Sequence, residues 1–234
     1  LISTFLYFRL GYEASFMLLA IPAVIAISLL AAAKKMFPHP ERLVTEGIGR
    51  GKNKITKTLW IYIIAVSFVG MGTSDFPLIA YHAKKISLIG DVYIPLVYSL
   101  TTVVTGLSAL LFGRLFDRVG ITAVIAGVAC STTFAWFAFF GGVAGLFIGL
   151  AMWGIGMGAQ ESVMKAVIAD MMREEHRGMA FGIFNASYGV FSFVGSVIIG
   201  LLYDTNISYL VYFSIASHIV AIVMLTMISG RRFY

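Results

Sequence analysis

Charge and cysteine are what this 234-residue sequence has least of: Asp, Glu, Lys and Arg make up only 12% of it, and Cys130 is its one cysteine. A single cysteine excludes an intrachain disulfide, a CxxC redox pair and a cysteine-based metal cluster. Cys130 sits inside an apolar run, where it is expected to be a small packing residue. No HExxH zinc pair and no GxSxG nucleophile elbow occurs, and the Glu174-Glu175 pair has Met179 where an arginine four residues beyond Glu175 would stand. An intramembrane enzyme is therefore disfavoured, and no metal or organic cofactor is expected. The sequence opens at Leu1 without an initiator Met, a basic leader or a small-residue cleavage site, so it reads as starting part-way along a longer chain.

Hydrophobic residues, by contrast, reach 59%, more apolar surface than a water-soluble core can absorb. They fall into seven runs of about 20 or more residues, long enough to cross a hydrocarbon core of about 30 Å as helices. The runs cover 14–33, 58–81, 92–113, 121–140, 143–169, 179–203 and 207–229, and four of them carry no charged residue and no histidine. The expected fold is all-α: a polytopic membrane protein with a six-helix bundle and one preceding transmembrane helix.

Between the first two runs, residues 34–57 carry Pro38, Pro40, three glycines and seven Lys or Arg against two Glu. This is the one real linker, and it divides the chain into 1–33, the linker 34–57 and a bundle over 58–234. Basic residues flanking spans are retained on the cytoplasmic side. With the linker inside, the loops holding Arg114 and Arg118, then Arg173 and Arg177, and the tail with Arg231 and Arg232 are also inside, which collects thirteen of the seventeen basic residues. The outside loops keep Lys84 and Lys85, with Arg9 upstream and Lys165 within a span. The formal net charge of +6 is thus topology rather than a nucleic-acid surface, which would need basic residues gathered on one solvated face. The expected location is a cytoplasmic membrane, with linker and carboxy terminus inside.

The loop after the third run reads GRLFDRVG, with Gly113, Asp117, Arg118 and Gly120. Glycines at each end permit a tight turn and close helix approach, while Asp117 can face a helix N-terminus and Arg118 can pair with a carboxylate. This octet resembles the G-x-x-x-D-R-x-G signature of the major facilitator superfamily. A second stretch, with Asp170, Arg177, Gly178 and Gly182 and ending in LYD at 202–204, is similar to that family's region between its tenth and eleventh helices. The resemblance implies helices six to twelve of a twelve-helix transporter, with residues 1–13 as a remnant of the fifth helix and its outside loop. It further implies that the two loop motifs hold the cytoplasmic side shut until the bundles rock. Gly182, Gly189, Gly195 and Gly200 are expected to give close helix packing in lipid.

Polar residues inside spans point to the working site, because a charge at membrane depth normally faces a partner or a wet cavity. These are Asp75, Glu161, Lys165 and His218, the last more simply read as an interhelical packing residue. Family bundles are built from three-helix inverted repeats, so the second and fifth runs should correspond. One holds GMGTSD ending at Asp75, followed by Pro77, and the other GIGMGAQE ending at Glu161 after Gln160, each with a carboxylate three residues after a glycine. Lys165 stands one α-helical turn after Glu161, in the favourable order for self-neutralisation. Asp75 has no local partner, and Pro77 should loosen its helix. The expected function is proton-coupled transport of a small organic molecule by alternating access, with Asp75, Glu161, Gln160 and Lys165 serving substrate or proton. The expected partners are that substrate, the coupling proton, the lipid bilayer and the missing amino-terminal half; a non-transporting receptor or scaffold on the same fold is the other reading.

Overall fold

A computed structural model describes residues 11–36 and 56–229, and among them there are helices and turns but no strand. Most of the linker, Arg9, Arg231, Arg232 and residues 1–10 of the expected remnant lie outside the described residues. The chain divides into two compact units, one holding described residues 11–36 and 90–97, the other 56–89 and 98–229. In the first, helix α1 (Gly11–Met36) covers the first apolar run, and a 3-10 turn forms at Asp91–Tyr93.

Among the described residues, six helical stretches are long and apolar enough to cross a membrane: Lys57–Lys85, Asp91–Val119, Thr122–Phe140, Gly142–Met171, Glu174–Thr205 and Ile207–Ser229. Each coincides with one of the last six apolar runs. Several are composite. The first divides into α2 (Lys57–Gly72) and α3 (Phe76–Lys85), and the second is α4 (Ile94–Val119) with the 3-10 turn ahead of it. The third joins α5 (Thr122–Ser131) to α6 (Phe134–Phe140). The fourth runs from α7 (Gly142–Ala159) through a π-helical turn (Gln160–Met164) into α8 (Lys165–Met171). Helices α9 (Glu174–Thr205) and α10 (Ile207–Ser229) are continuous.

Helix α2 is the centre of the second unit. It opens on a Thr56 cap whose Oγ1 accepts from the Leu59 amide at 3.2 Å, satisfying one of the donors a helix start leaves unpaired. Leu59, Tyr62, Ile63, Val66 and Val69 are fully buried against Val163, Met164 and Ile168, Ala180 and Phe184 of α9, and Ala221, Leu225 and Ile228 of α10. The outward faces are equally apolar, with Phe193, Leu201, Leu107 and Leu110 exposed, as a lipid-facing surface requires. Cys130 is among them: it lies on the exposed side of α5 rather than in the packing, so the small residues that fill the interior there are Gly127 and Ser131.

Close packing comes from a different helix than the sequence suggested. Of the α9 glycines only Gly195 is in tight contact, its Cα facing the Met71 backbone, whereas a Cβ on Gly182, Gly189 or Gly200 would meet nothing. The glycines of α7 do this work: Gly149 lies against the backbone of α6, Gly156 against Ser131, and Gly158 against the backbone of Thr105 and Ala109. With no Cβ at three successive contacts, α7 can approach three neighbours at backbone distance, the small-residue packing that replaces hydrophobic collapse in lipid.

Candidate functional site

Two departures from regular helix define the site. Helix α2 stops at Gly72, residues 73–75 are extended, and α3 restarts at Phe76 with Pro77 in its first turn, where the missing N–H costs nothing. Asp75 is thus not a mid-helix residue: it is the N-cap of α3. Its carbonyl accepts from the amides of Leu78 and Ile79, while its side chain caps nothing and is exposed. The carbonyls released by the break are taken up by two other spans and by Thr73 itself. Ser214 of α10 donates to Gly72 O at 2.6 Å, the indole of Trp153 of α7 donates to Ser74 O at 2.9 Å, and Thr73 folds back on Val69 O at 2.8 Å.

The second departure is the π turn, Gln160–Met164. A π turn adds a residue to the ordinary helical repeat and marks functional positions more often than chance. Here Tyr62 of α2 donates to Met164 O at 2.8 Å and Tyr188 of α9 donates to Gln160 Oε1 at 2.9 Å, so both ends of the turn are held from neighbouring spans. The extra residue undoes the α-helical spacing of Glu161 and Lys165. Both side chains are exposed and no ion pair joins them, which removes self-neutralisation as the account of this carboxylate.

Tyr188 brings the two departures together. Besides bonding Gln160, its ring rests on Gly70, where a Cβ would come within 2.8 Å of ring carbons and within 2.5 Å of Ser192 Oγ one turn on. Tyr188 stands near the middle of the 32-residue α9, so the site is at membrane depth. His218 is adjacent to the break from the other side: it is fully buried, and its Nδ1 lies 2.9 Å from a Cβ position on Gly72. Because Nδ1 is 2.8 Å from Ser214 O, which can only accept, that nitrogen carries the proton.

The two loop motifs touch this site at one point, through Gly113. Gly120 adopts φ +60° and its amide bonds Phe116 O at 2.8 Å, a left-handed cap that ends α4 and that only glycine reaches cheaply. Gly113 faces Ser162 of the π turn, 3.1 Å from its Oγ to a Cβ position, so one motif glycine makes the turn and the other the close approach. Asp117 and Arg118 are exposed and in no ion pair among the described residues. Arg177 reaches back across its loop: its Nε donates to Ala169 O and Met172 O at 3.1 and 3.2 Å, and its guanidinium lies 3.6 Å from Glu174. It therefore caps the carboxy end of α8 beside Asp170, which is exposed, as is Gly178.

At the far ends of three spans a second polar cluster forms. His82 of α3 places Nε2 3.2 Å from Phe139 O and Nδ1 3.1 Å from the Tyr203 hydroxyl. The carbonyl fixes Nε2 as the donor, so Nδ1 accepts from Tyr203. Lys85 lies over the rings of Tyr81 and Tyr203 at 5.7 and 5.1 Å.

The sequence model of the Major Facilitator Superfamily matches residues 78–232, well over half of the chain. The chain is also 29% identical over 223 residues to uncharacterized proteins of Mycobacterium bovis and Mycobacterium tuberculosis, an alignment covering 92% of this chain and 54% of each relative. It spans about half the length of the relatives it matches. No solved structure matches it at a significant level. Six apolar spans, a glycine-capped DR loop between the third and fourth runs and the extended match agree: the chain belongs to the major facilitator superfamily.

Proposed function

We propose that this chain is the substrate-handling carboxy-terminal half of a secondary transporter that moves a small organic molecule by alternating access, with proton coupling through Asp75 and Glu161. The superfamily is one of transporters. The observation that carries the reading is the pairing of the helix break at 73–75 with the π turn Gln160–Met164 across Tyr188. Discontinuous helices at corresponding places in two repeats are how such proteins build a binding site near the bilayer midplane. Asp75 and Glu161, exposed and without an ion pair at that depth, supply the groups that bind a proton or substrate, with Gln160 and Lys165 beside them. The motif residues Gly113, Asp117, Arg118, Gly120, Asp170, Arg177 and Gly178 then belong to the gate on the side where the basic loops lie, a side that the excess of Lys and Arg supports reading as cytoplasmic.

The remaining half of the transporter is the expected partner. The two least buried spans, Glu174–Thr205 at 17% and Asp91–Val119 at 22%, carry Gly182, Gly189, Gly200 and Gly106 with open space in front of them. Small residues on a lipid-exposed face suit the close approach of another helix.

The test is flux by the full-length protein in liposomes loaded with a pH-sensitive dye and challenged in turn with amines, sugars, organic acids and amino acids. One of these classes should drive proton movement, and Asp75→Asn should abolish the pH dependence of its uptake. Uptake and pH dependence both unchanged in Asp75→Asn would sink the coupling role.

A further inference from the structure

The break and the π turn lie on different spans, so something must make them act as one site. One side chain, Tyr188, reaches both the π turn and the last turn of α2 ahead of the break. Tyr188 is bonded through its hydroxyl to Gln160, the first residue of the π turn, and is wedged by its ring against Gly70, two residues before α2 ends. Its freedom is small. Phe184 lies one turn before it with ring centroids 5.9 Å apart, and Ser192 one turn after it lies against the same Gly70. A second tie nearby, Ser67 to Ser187 at 3.0 Å, fixes α9 against α2 just below. With its ring clamped on one span and its hydroxyl committed to the other, Tyr188 cannot keep both contacts if either segment moves.

We propose that Tyr188 is a positioning residue that couples the two carboxylate segments, so that a change of charge or occupancy at Glu161 is passed through Gln160 and the Tyr188 ring to the extended residues holding Asp75. The inference rests on the transport reading only in taking Asp75 and Glu161 as the working carboxylates. Glu161 neighbours Gln160, so any shift of the π turn that re-aims the carboxylate also moves the amide that Tyr188 holds. The ring transmits that movement because Gly70 has no side chain to yield. Rigid contacts with two discrete arrangements carry coupling of this kind between sites.

The experiment is a double-mutant cycle read without substrate. In the full-length protein in membrane vesicles, with every native cysteine, Cys130 included, replaced by Ser, Thr73→Cys reports the break through its rate of reaction with N-ethylmaleimide. Glu161→Gln, which mimics the protonated carboxyl, should change that rate by about twofold or more, the lower range of coupling between residues of one network. In Tyr188→Phe, which keeps the ring on Gly70 and loses the hydroxyl, the Glu161→Gln effect should vanish. Gln160→Leu, which cuts the same bond from the other side, should abolish it equally and carries the test should Tyr188→Phe fold poorly. A merely structural Tyr188 would leave the Glu161→Gln effect intact in Tyr188→Phe, and that result overturns the proposal, as does a labelling rate indifferent to Glu161→Gln. Coupling that is present while Asp75→Asn leaves flux untouched would instead refute the transport reading alone.

Discussion

Two glycines six residues apart on α9 should respond oppositely to the same substitution. At Gly195 an added Cβ would strike the Met71 carbonyl oxygen and stand 2.7 Å from Met71 Cα and C, where non-bonded carbons prefer about 3.5–4.0 Å. The obstacle is backbone, so no rotamer can yield, and α9 must withdraw from α2 by about 1 Å at the last turn before the break. Overpacking of this kind costs about 1–3 kcal/mol, and with nothing able to give way the upper end applies. Replacing glycine in a helix interior returns about 1 kcal/mol, leaving Gly195→Ala about 2 kcal/mol less stable than the parent. At Gly189 the same Cβ meets nothing, so only the gain of about 1 kcal/mol remains. The two variants should therefore differ by about 3 kcal/mol, with Gly189→Ala melting above Gly195→Ala. Thermal unfolding of the purified full-length protein in one detergent, followed by tryptophan fluorescence, measures the gap. Should Gly195→Ala melt with or above Gly189→Ala, the backbone contact between α9 and α2 does not hold the break in place.

Tyr62→Phe removes the donor to Met164 O inside a fully buried contact and should lower stability by about 0.6–1.7 kcal/mol, the range of interhelical hydrogen bonds in lipid. The same thermal assay checks it, with unchanged stability counting against a π turn held from α2. Cys130→Ser, on an exposed face, should stay within about 0.5 kcal/mol of the parent. Labelling Cys130 in vesicles should be fast with a lipid-soluble maleimide and slow with a charged one; the reverse order would put that face in water.

The spans were legible in the sequence because a long apolar run has few alternatives in a membrane, and each of the last six runs became one crossing stretch. Asp75 and Glu161 stood out for the same reason, as charges where charge is expensive. What lay beyond the sequence was the conformation around them. Pro77 announced a weakened helix, but not that Asp75 would cap a new one, since that depends on Ser214 and Trp153 arriving from distant spans to receive the freed carbonyls. The π turn has no local signature, and α-helical spacing therefore paired Glu161 with Lys165 wrongly. Tyr188 was missed although a signal existed: it is a hydroxyl in the middle of an apolar run, whereas tyrosines that serve as interfacial anchors sit at the ends. The α9 glycines misled because spacing reveals small residues and not whether a neighbour faces them.

The cluster around His82 bears on how the chain is made. His82, Phe139 and Tyr203 stand near the carboxy-terminal ends of α3, α6 and α9, and their bonds form only if all three of those helices leave the bilayer on the same side. A hairpin threaded backwards would send one of these ends to the opposite face and leave the bonds of the trio unmade. The trio's bonds are thus open only to spans that alternate correctly, and they need the first, third and fifth of the six.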